Sequence, residues 1–282
     1  MEFYFSHIKK YTYLCPMNTK TIHILALGFF TLLFSSCGEY QKALKSDDST
    51  VKYQLAEKLY KEKDYSRAER LFEQIVPRYL GKPQGERIVF MYADGFYQRK
   101  KYNLAAYQFE KFLKNYPKSQ KAEEAMFLEG KCYFFDSPKY SLTQTETYKA
   151  LDKLQSFIDR YPNSEYMREA NNMVLELLTK LQQKSFEIAK GYDKIRDYQA
   201  SIKAFDNFLV ENPGSVFREE AMYYRLHSAY ELAKNSVKSK EKQRFQDAKS
   251  LYENFIKTFP DSQYKNKAEK IYNDINKKIS EL

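Results

Sequence analysis

The stretch Ala150 to Ala170, ALDKLQSFIDRYPNSEYMREA, decides the fold, because its skeleton occurs four times at one spacing. Here a small residue, Ala150, is followed by Leu154 and Phe157, then by Pro162, Ser164 and Ala170. The same offsets hold for Ala105, Phe109, Phe112, Pro117, Ser119 and Ala125, for Ser201, Phe205, Phe208, Pro213, Ser215 and Ala221, and for Ala248, Tyr252, Phe255, Pro260, Ser262 and Ala268. A small residue with large apolar residues four and seven later lies on one face of a 3.6-residue helix, and the small slot marks where a neighbouring helix comes closest. The Pro stops that helix, since it lacks an N–H and disfavours helical geometry in the residue before it. The Ser is placed to cap the next helix, and the Ala after it is a second close-approach slot. One phrase thus encodes helix, turn, helix.

Working outward, a further small residue stands ahead of each phrase. Ala93 precedes Ala105 and Ala189 precedes Ser201 by twelve residues, and Ala56 precedes Ala68 likewise, with Phe72 and Ile75 completing a first copy in which Leu80 replaces the Pro. Gly130 and His227 take this first slot in the third and fifth copies, where insertions (136–146 and around 238–244) separate it from Ala150 and Ala248. This pattern resembles the tetratricopeptide repeat, a helix pair about 34 residues long. One such pair cannot bury its apolar face alone, whereas several stacked pairs can. The expectation is an all-α, tetratricopeptide-like α-solenoid of five helix-pair repeats, with the amphipathic segment from Lys265 to Leu282 as a C-terminal capping helix. Alternating apolar runs between tight turns are absent, and only eight glycines punctuate the chain.

The N-terminus reads differently. Lys20 and the apolar run Ile24 to Phe34, too short to span a bilayer as a helix, lead to Ser35, Ser36 and Cys37. That arrangement resembles the bacterial lipobox, with Phe34 where the commonest pattern has Leu, and it implies cleavage before Cys37 and lipidation of its thiol. Met17 opens a more ordinary leader than Met1 and is a second candidate start. Two or three acyl chains hold a protein on a membrane stably. The predicted organisation is therefore a signal peptide over 1–36, a lipidated cysteine and polar tether over 37–48, repeats one to three over 49–163, and repeats four and five with the cap over 164–282. Of Cys15, Cys37 and Cys132, only Cys132 remains as a thiol in such a mature chain, and its apolar neighbours mark it as a core residue.

Little in the sequence supports catalysis. His227 is the only histidine beyond the leader, no second His or Cys lies within helical reach of it, and no Gly-rich phosphate loop appears. No catalytic residue, metal ligand or cofactor is expected. Of 47 Lys and Arg and 37 Asp and Glu, three and one precede Cys37, which leaves 44 against 36. For an exported chain this excess points to anionic headgroups or an acidic protein, not to nucleic acid.

The informative constellation is aromatic. Three residues before and four after each first small slot lie on one side of the helix. They are Tyr53 and Tyr60, Phe90 and Tyr97, and Phe127 and Phe134 in repeats one to three, but Phe186 with Asp193 and Tyr224 with Glu231 in repeats four and five. Two readings stand side by side: a peptide-binding groove in the first three repeats, with a docking half behind it, or rings that simply pack between repeats.

The lipobox, the five repeats, the two insertions and the phrase YPNSEY at Tyr161 to Tyr166 together resemble the BamD family of outer-membrane assembly lipoproteins, over Cys37 to Leu282. The resemblance implies a non-catalytic subunit of the β-barrel assembly machine, lipid-anchored to the outer membrane and facing the periplasm. Its implied partners are a BamA-like barrel protein, bound through the C-terminal half, and the targeting signals of unfolded outer-membrane proteins, which typically end in an aromatic residue. A generic periplasmic repeat scaffold remains the alternative.

Overall fold

The computed structural model describes residues 38–282. Twelve helices and no strand are present among them: α1 (38–45), α2 (Ser49–Lys61), α3 (Tyr65–Tyr79), α4 (Gly85–Gln98), α5 (Tyr102–Asn115), α6 (Ala122–Asp136), α7 (Thr145–Arg160), α8 (Met167–Lys194), α9 (Tyr198–Glu211), α10 (Arg218–Lys234), α11 (Lys238–Thr258) and α12 (Lys265–Glu281). Helices α2 to α11 are the five expected pairs and α12 is the cap. The described residues divide into two compact units, one ending at Gly95 and the other running from Phe96 to Leu282. The bound between repeats three and four at 163/164 lies in the turn between α7 and α8, which pack on each other.

In the second unit each helix from α5 to α12 packs on the next, and α10 also touches α8 and α12. The slots of the phrase build this core. Ala105, Ala125, Ala150, Ala170, Ser201, Ala221, Ala248 and Ala268 are fully buried, as are Phe109, Phe112, Leu154, Phe157, Phe205 and Phe255. Burying each such Phe or Leu side chain stabilises by about 1.5–3 kcal/mol. Gly130 shows why its slot must be small: a Cβ there would sit 2.9 Å from Leu154 Cδ2 and 3.3 Å from the Leu154 backbone N. Tyr252 departs from the pattern. It is half-buried and stacks on Tyr272 of the cap, with ring centroids 4.2 Å apart.

The Pro acts through the residue before it. Tyr116, Tyr161, Asn212 and Phe259 all leave helical geometry at φ between −127° and −132° and ψ between 57° and 72°, and each N–H closes the last turn onto the Phe four residues earlier. The Ser does less than expected as a cap. Helices α6, α8, α10 and α12 begin three residues after it, and its hydroxyl accepts from the N–H two residues on (2.9, 3.1, 3.2 and 3.0 Å for Lys121, Tyr166, Phe217 and Tyr264), which fixes the turn ahead of the helix.

Three differences come from signals too local for the periodicity to show. The segment read as a tether is helical over 38–45 and buries Tyr40 and Ala43 in the first unit. In repeat one, Pro77 lies inside α3, and the chain turns at Leu80 and Gly81, the latter at φ 78°. The charged insertion around 238–244 forms the first turns of α11. The Cys37 lipidation site and the signal peptide lie outside the described residues.

Candidate functional site

The site is built from one position, the fourth residue after each first small slot, at the C-terminal end of the first helix of a pair. Short turns follow this position in α2, α4 and α8. Lys63, Lys100 and Arg196 adopt left-handed backbone with φ of 63°, 58° and 66°. The next N–H in each, from Asp64, Lys101 and Asp197, reaches back to the carbonyls of Leu59, Phe96 and Tyr192 at 2.8, 2.9 and 3.0 Å. A tyrosine then opens the second helix, as Tyr65, Tyr102 or Tyr198. This basic residue, Asp or Lys, then Tyr recurs in the sequence as KDY, KKY and RDY. It was legible there but was masked by the absence of glycine, the residue normally expected at such a backbone.

In the first unit, Tyr60 occupies the position. Its ring meets Tyr65 edge-on at 5.4 Å, and its hydroxyl donates to the carboxylate of Asp94, which is buried. Tyr53 is half-buried beside Glu57, while Phe90 is buried at 9% exposure. Burial raises the Tyr53 phenol pKa, and the Glu57 carboxylate beside it adds to the rise.

In the second unit, Tyr97 holds the position. Its ring lies 6.0 Å from Tyr102, which stacks on Phe135 at 4.8 Å, and Phe135 in turn meets Phe134 at 5.6 Å. Four rings thus run together, and Phe135 keeps 44% of its surface exposed. The Tyr97 hydroxyl lies near Lys131, whose ammonium holds Glu169 at 2.7 Å and lies 5.3 Å from the Phe127 ring. Burial raises the Tyr97 phenol pKa. Phe127 itself is 2% exposed, sandwiched against Tyr166 at 4.6 Å and Phe157 at 5.5 Å.

Further along, the position carries Asp193. Its Oδ1 accepts from Ser228 Oγ at 2.7 Å and pairs with His227 Nδ1 at 2.9 Å, while Ser228 Oγ lies 2.9 Å from the buried Ser201 Oγ. Burial opposes ionisation of Asp193, but bonds from His227 and Ser228 outweigh it and lower the carboxyl pKa; the same Asp193 bond raises that of His227 against burial. Glu231 pairs with Lys234 on its own helix at 3.1 Å. Both acidic slots thus have charged partners within the fold.

The structure accordingly sorts the six sequence-predicted rings. Phe127 and Phe90 are buried, and Tyr53, Tyr60, Tyr97 and Phe134 are half-buried. Three of the five positions meet the residue that follows the first small slot of the next repeat: Tyr60 meets Asp94, Tyr97 meets Lys131 and Asp193 meets Ser228. Sequence reasoning missed Tyr102 and Phe135. It also missed the aromatic residue four after the Pro, where Tyr166 stacks on Phe127, Phe217 on Phe186 and Tyr264 on Tyr223 at 4.6, 5.2 and 4.6 Å. The final Tyr of YPNSEY and its counterparts in two other copies carried that signal. Among the described residues no group of three or more His, Cys, Asp or Glu side chains is arranged to hold a metal ion.

Fold and site together define a tetratricopeptide-like helical-repeat scaffold that presents side chains from successive first helices. The sequence model of the outer membrane lipoprotein family YfiO matches residues 45–205 and 181–282, and the chain belongs to that family. It is thus an outer-membrane-associated lipoprotein of the BamD type, and no helix among the described residues is long and apolar enough to cross a membrane. Among solved structures it is similar to the TPR2AB domain of yeast Sti1 in a complex with pHSP90, at 9% identity and a TM-score of 0.37 over 81% of this chain and 98% of that one. No curated protein matches the chain.

Proposed function

We propose that this lipoprotein is a non-catalytic subunit of the outer-membrane β-barrel assembly machinery, anchored through lipid on Cys37 and facing the periplasm. Its partners are the periplasmic domains of a BamA-like barrel protein and the targeting signals of unfolded outer-membrane proteins. The observation that carries the client-binding part is the run of rings Tyr97, Tyr102, Phe135 and Phe134, of which Phe135 is open to an incoming side chain. Rings offer a large apolar contact area and favour offset-stacked or edge-on partners, which suits a client segment ending in an aromatic residue. Family membership supports the setting, because an outer membrane lipoprotein with a repeat scaffold has its exposed side chains available to envelope proteins.

Two measurements test this. Purification of the native chain under mild detergent is expected to bring a BamA-like barrel with it; absence of any such barrel removes the assembly role and leaves a generic envelope scaffold. Substituting Tyr97 and Phe135 by Ala is expected to weaken binding of a client C-terminal peptide at least tenfold with a modest drop in melting temperature. A drop in melting temperature with unchanged affinity makes these rings packing residues only.

A further inference from the structure

The polar segment after Cys37, which reads as a tether in the sequence, is a docked helix over 38–45. Helix α1 is described from Gly38 onward and is held by the buried Tyr40 and Ala43, by the Arg67 guanidinium 5.7 Å from the Tyr40 ring, and by a Glu39–Lys58 ion pair at 3.7 Å. The family match begins at residue 45, so most of α1 lies ahead of it. A flexible tether of roughly twelve residues would have a root-mean-square span of about 20 Å. Attachment at Gly38 leaves a single Cα step of about 3.8 Å between the anchoring residue and the folded body. Lipid on Cys37 would therefore fix which face of the first unit meets the bilayer.

That face carries a groove between α1 and α2. Ala43 and Leu55 form its floor, Val51 stands open at 43% exposure, and Glu39, Lys42 and Lys58 form its rim. Lys42 is exposed, and the Lys58 partner Glu39 is itself 64% exposed, so both ammonium groups can reach phosphates. A lysine at an anionic membrane surface adds roughly fivefold to binding. The rim carries both signs of charge, so the length of the attachment, more than charge, selects the occupant.

Resting on the Cys37 anchor proposed above, we infer that the α1–α2 face is laid against the phospholipid headgroup layer, with Val51 at the lipid boundary and Lys42 and Lys58 on lipid phosphates. The lipoprotein is thereby held in one orientation and does not swing on a leash.

The test uses the native, processed chain reconstituted in phosphatidylethanolamine and phosphatidylglycerol vesicles. An environment-sensitive fluorophore is placed on Val51→Cys or, for reference, on Val216→Cys in the second unit, which is 78% exposed. Cys132 is fully buried, and an unsubstituted chain labelled in parallel sets the background. Headgroup-linked nitroxide lipids are expected to quench the Val51 label at least threefold more than the Val216 label. Inserting ten Gly and Ser residues between Cys37 and Gly38 is expected to abolish that difference while the protein stays membrane-bound. Equal quenching at both positions in a chain whose mass shows lipid on Cys37 overturns the face assignment and leaves the anchor standing. A chain without that lipid mass removes the anchor and the assignment together.

Discussion

Tyr97 and Asp193 occupy the same position in two repeats of the second unit and meet the same neighbouring slot with opposite chemistry. Tyr97 places a half-buried ring in a run of aromatics and reaches the Lys131 ammonium. Asp193 places a carboxylate under His227 Nδ1 and Ser228 Oγ, connected to the buried Ser201. The first arrangement leaves an aromatic face open, and the second is closed on itself. Repetition thus dictates where a side chain touches the next repeat, and the residue type decides whether surface is left over for a partner.

The largest effect separates rings that pack from rings that face outward. Phe127→Ala removes a 2% exposed ring held between Tyr166 and Phe157 and is expected to cost about 3–5 kcal/mol in denaturant unfolding. Phe135→Ala, at 44% exposure, is expected to cost less than about 1 kcal/mol. Equal losses would erase the distinction on which the candidate site rests. Next comes the polar counterpart. Asp193→Ala leaves His227 and Ser228 without their acceptor and is expected to cost about 1–3 kcal/mol, whereas Tyr97→Phe, which deletes only a hydroxyl at a half-exposed ring, is expected to cost about 1 kcal/mol or less.

Particular residues show what could be read in advance. Pro117, Pro162, Pro213 and Pro260 gave four turns whose geometry is nearly identical, and the Ala and Phe slots around them gave the core, because apolar periodicity and proline act locally and repeat. Helix α1 escaped because its buried pair, Tyr40 and Ala43, is too few residues for a period to declare itself. The site was half legible. Spacing placed Tyr97 and Phe134 correctly on the helix, but it could not show that Phe127 is walled in, since its wall, Tyr166, comes from a different phrase and its cover, Lys131, is paired to Glu169 on another helix. Nor could it show that Asp193 is satisfied internally, because His227 lies 34 residues away and enters through the packing of α8 on α10.

The closed arrangement also predicts a pH dependence around neutrality. The Asp193 bond raises the folded pKa of His227, so this contribution is full below about pH 6.5 and is lost as pH rises through the raised folded value. The lowered pKa of Asp193 gives a contribution present above about pH 3.9 and lost as pH falls through the lowered folded value. Glu231 and Lys234 also face the imidazole and act in opposite senses, and the Tyr223 and Tyr224 rings flank it at 6.4 Å. Stability of the native chain is expected to decline from pH 6 to pH 8 by less than about 1.4 kcal/mol per pH unit, the limit for one proton, and His227→Gln is expected to flatten that decline. An unchanged slope in the variant would place the titration elsewhere.

The smallest effect concerns the turns that both arrangements share. Lys100 and Arg196 hold left-handed backbone at φ 58° and 66° beside Tyr97 and Asp193 respectively. An L-residue carries a steric cost there of about 1–2 kcal/mol that glycine avoids, offset by the greater freedom of glycine in the unfolded chain. Lys100→Gly and Arg196→Gly are each expected to raise stability by about 0.5 kcal/mol, read as a small upward shift of the urea midpoint at unchanged slope. If Lys100→Gly stabilises while client-peptide affinity at the neighbouring rings is unchanged, the turn is purely a folding device. If affinity falls with it, the strained turn also sets the angle at which Tyr97 and Tyr102 present their faces, and the open site depends on the strain that the closed one merely tolerates.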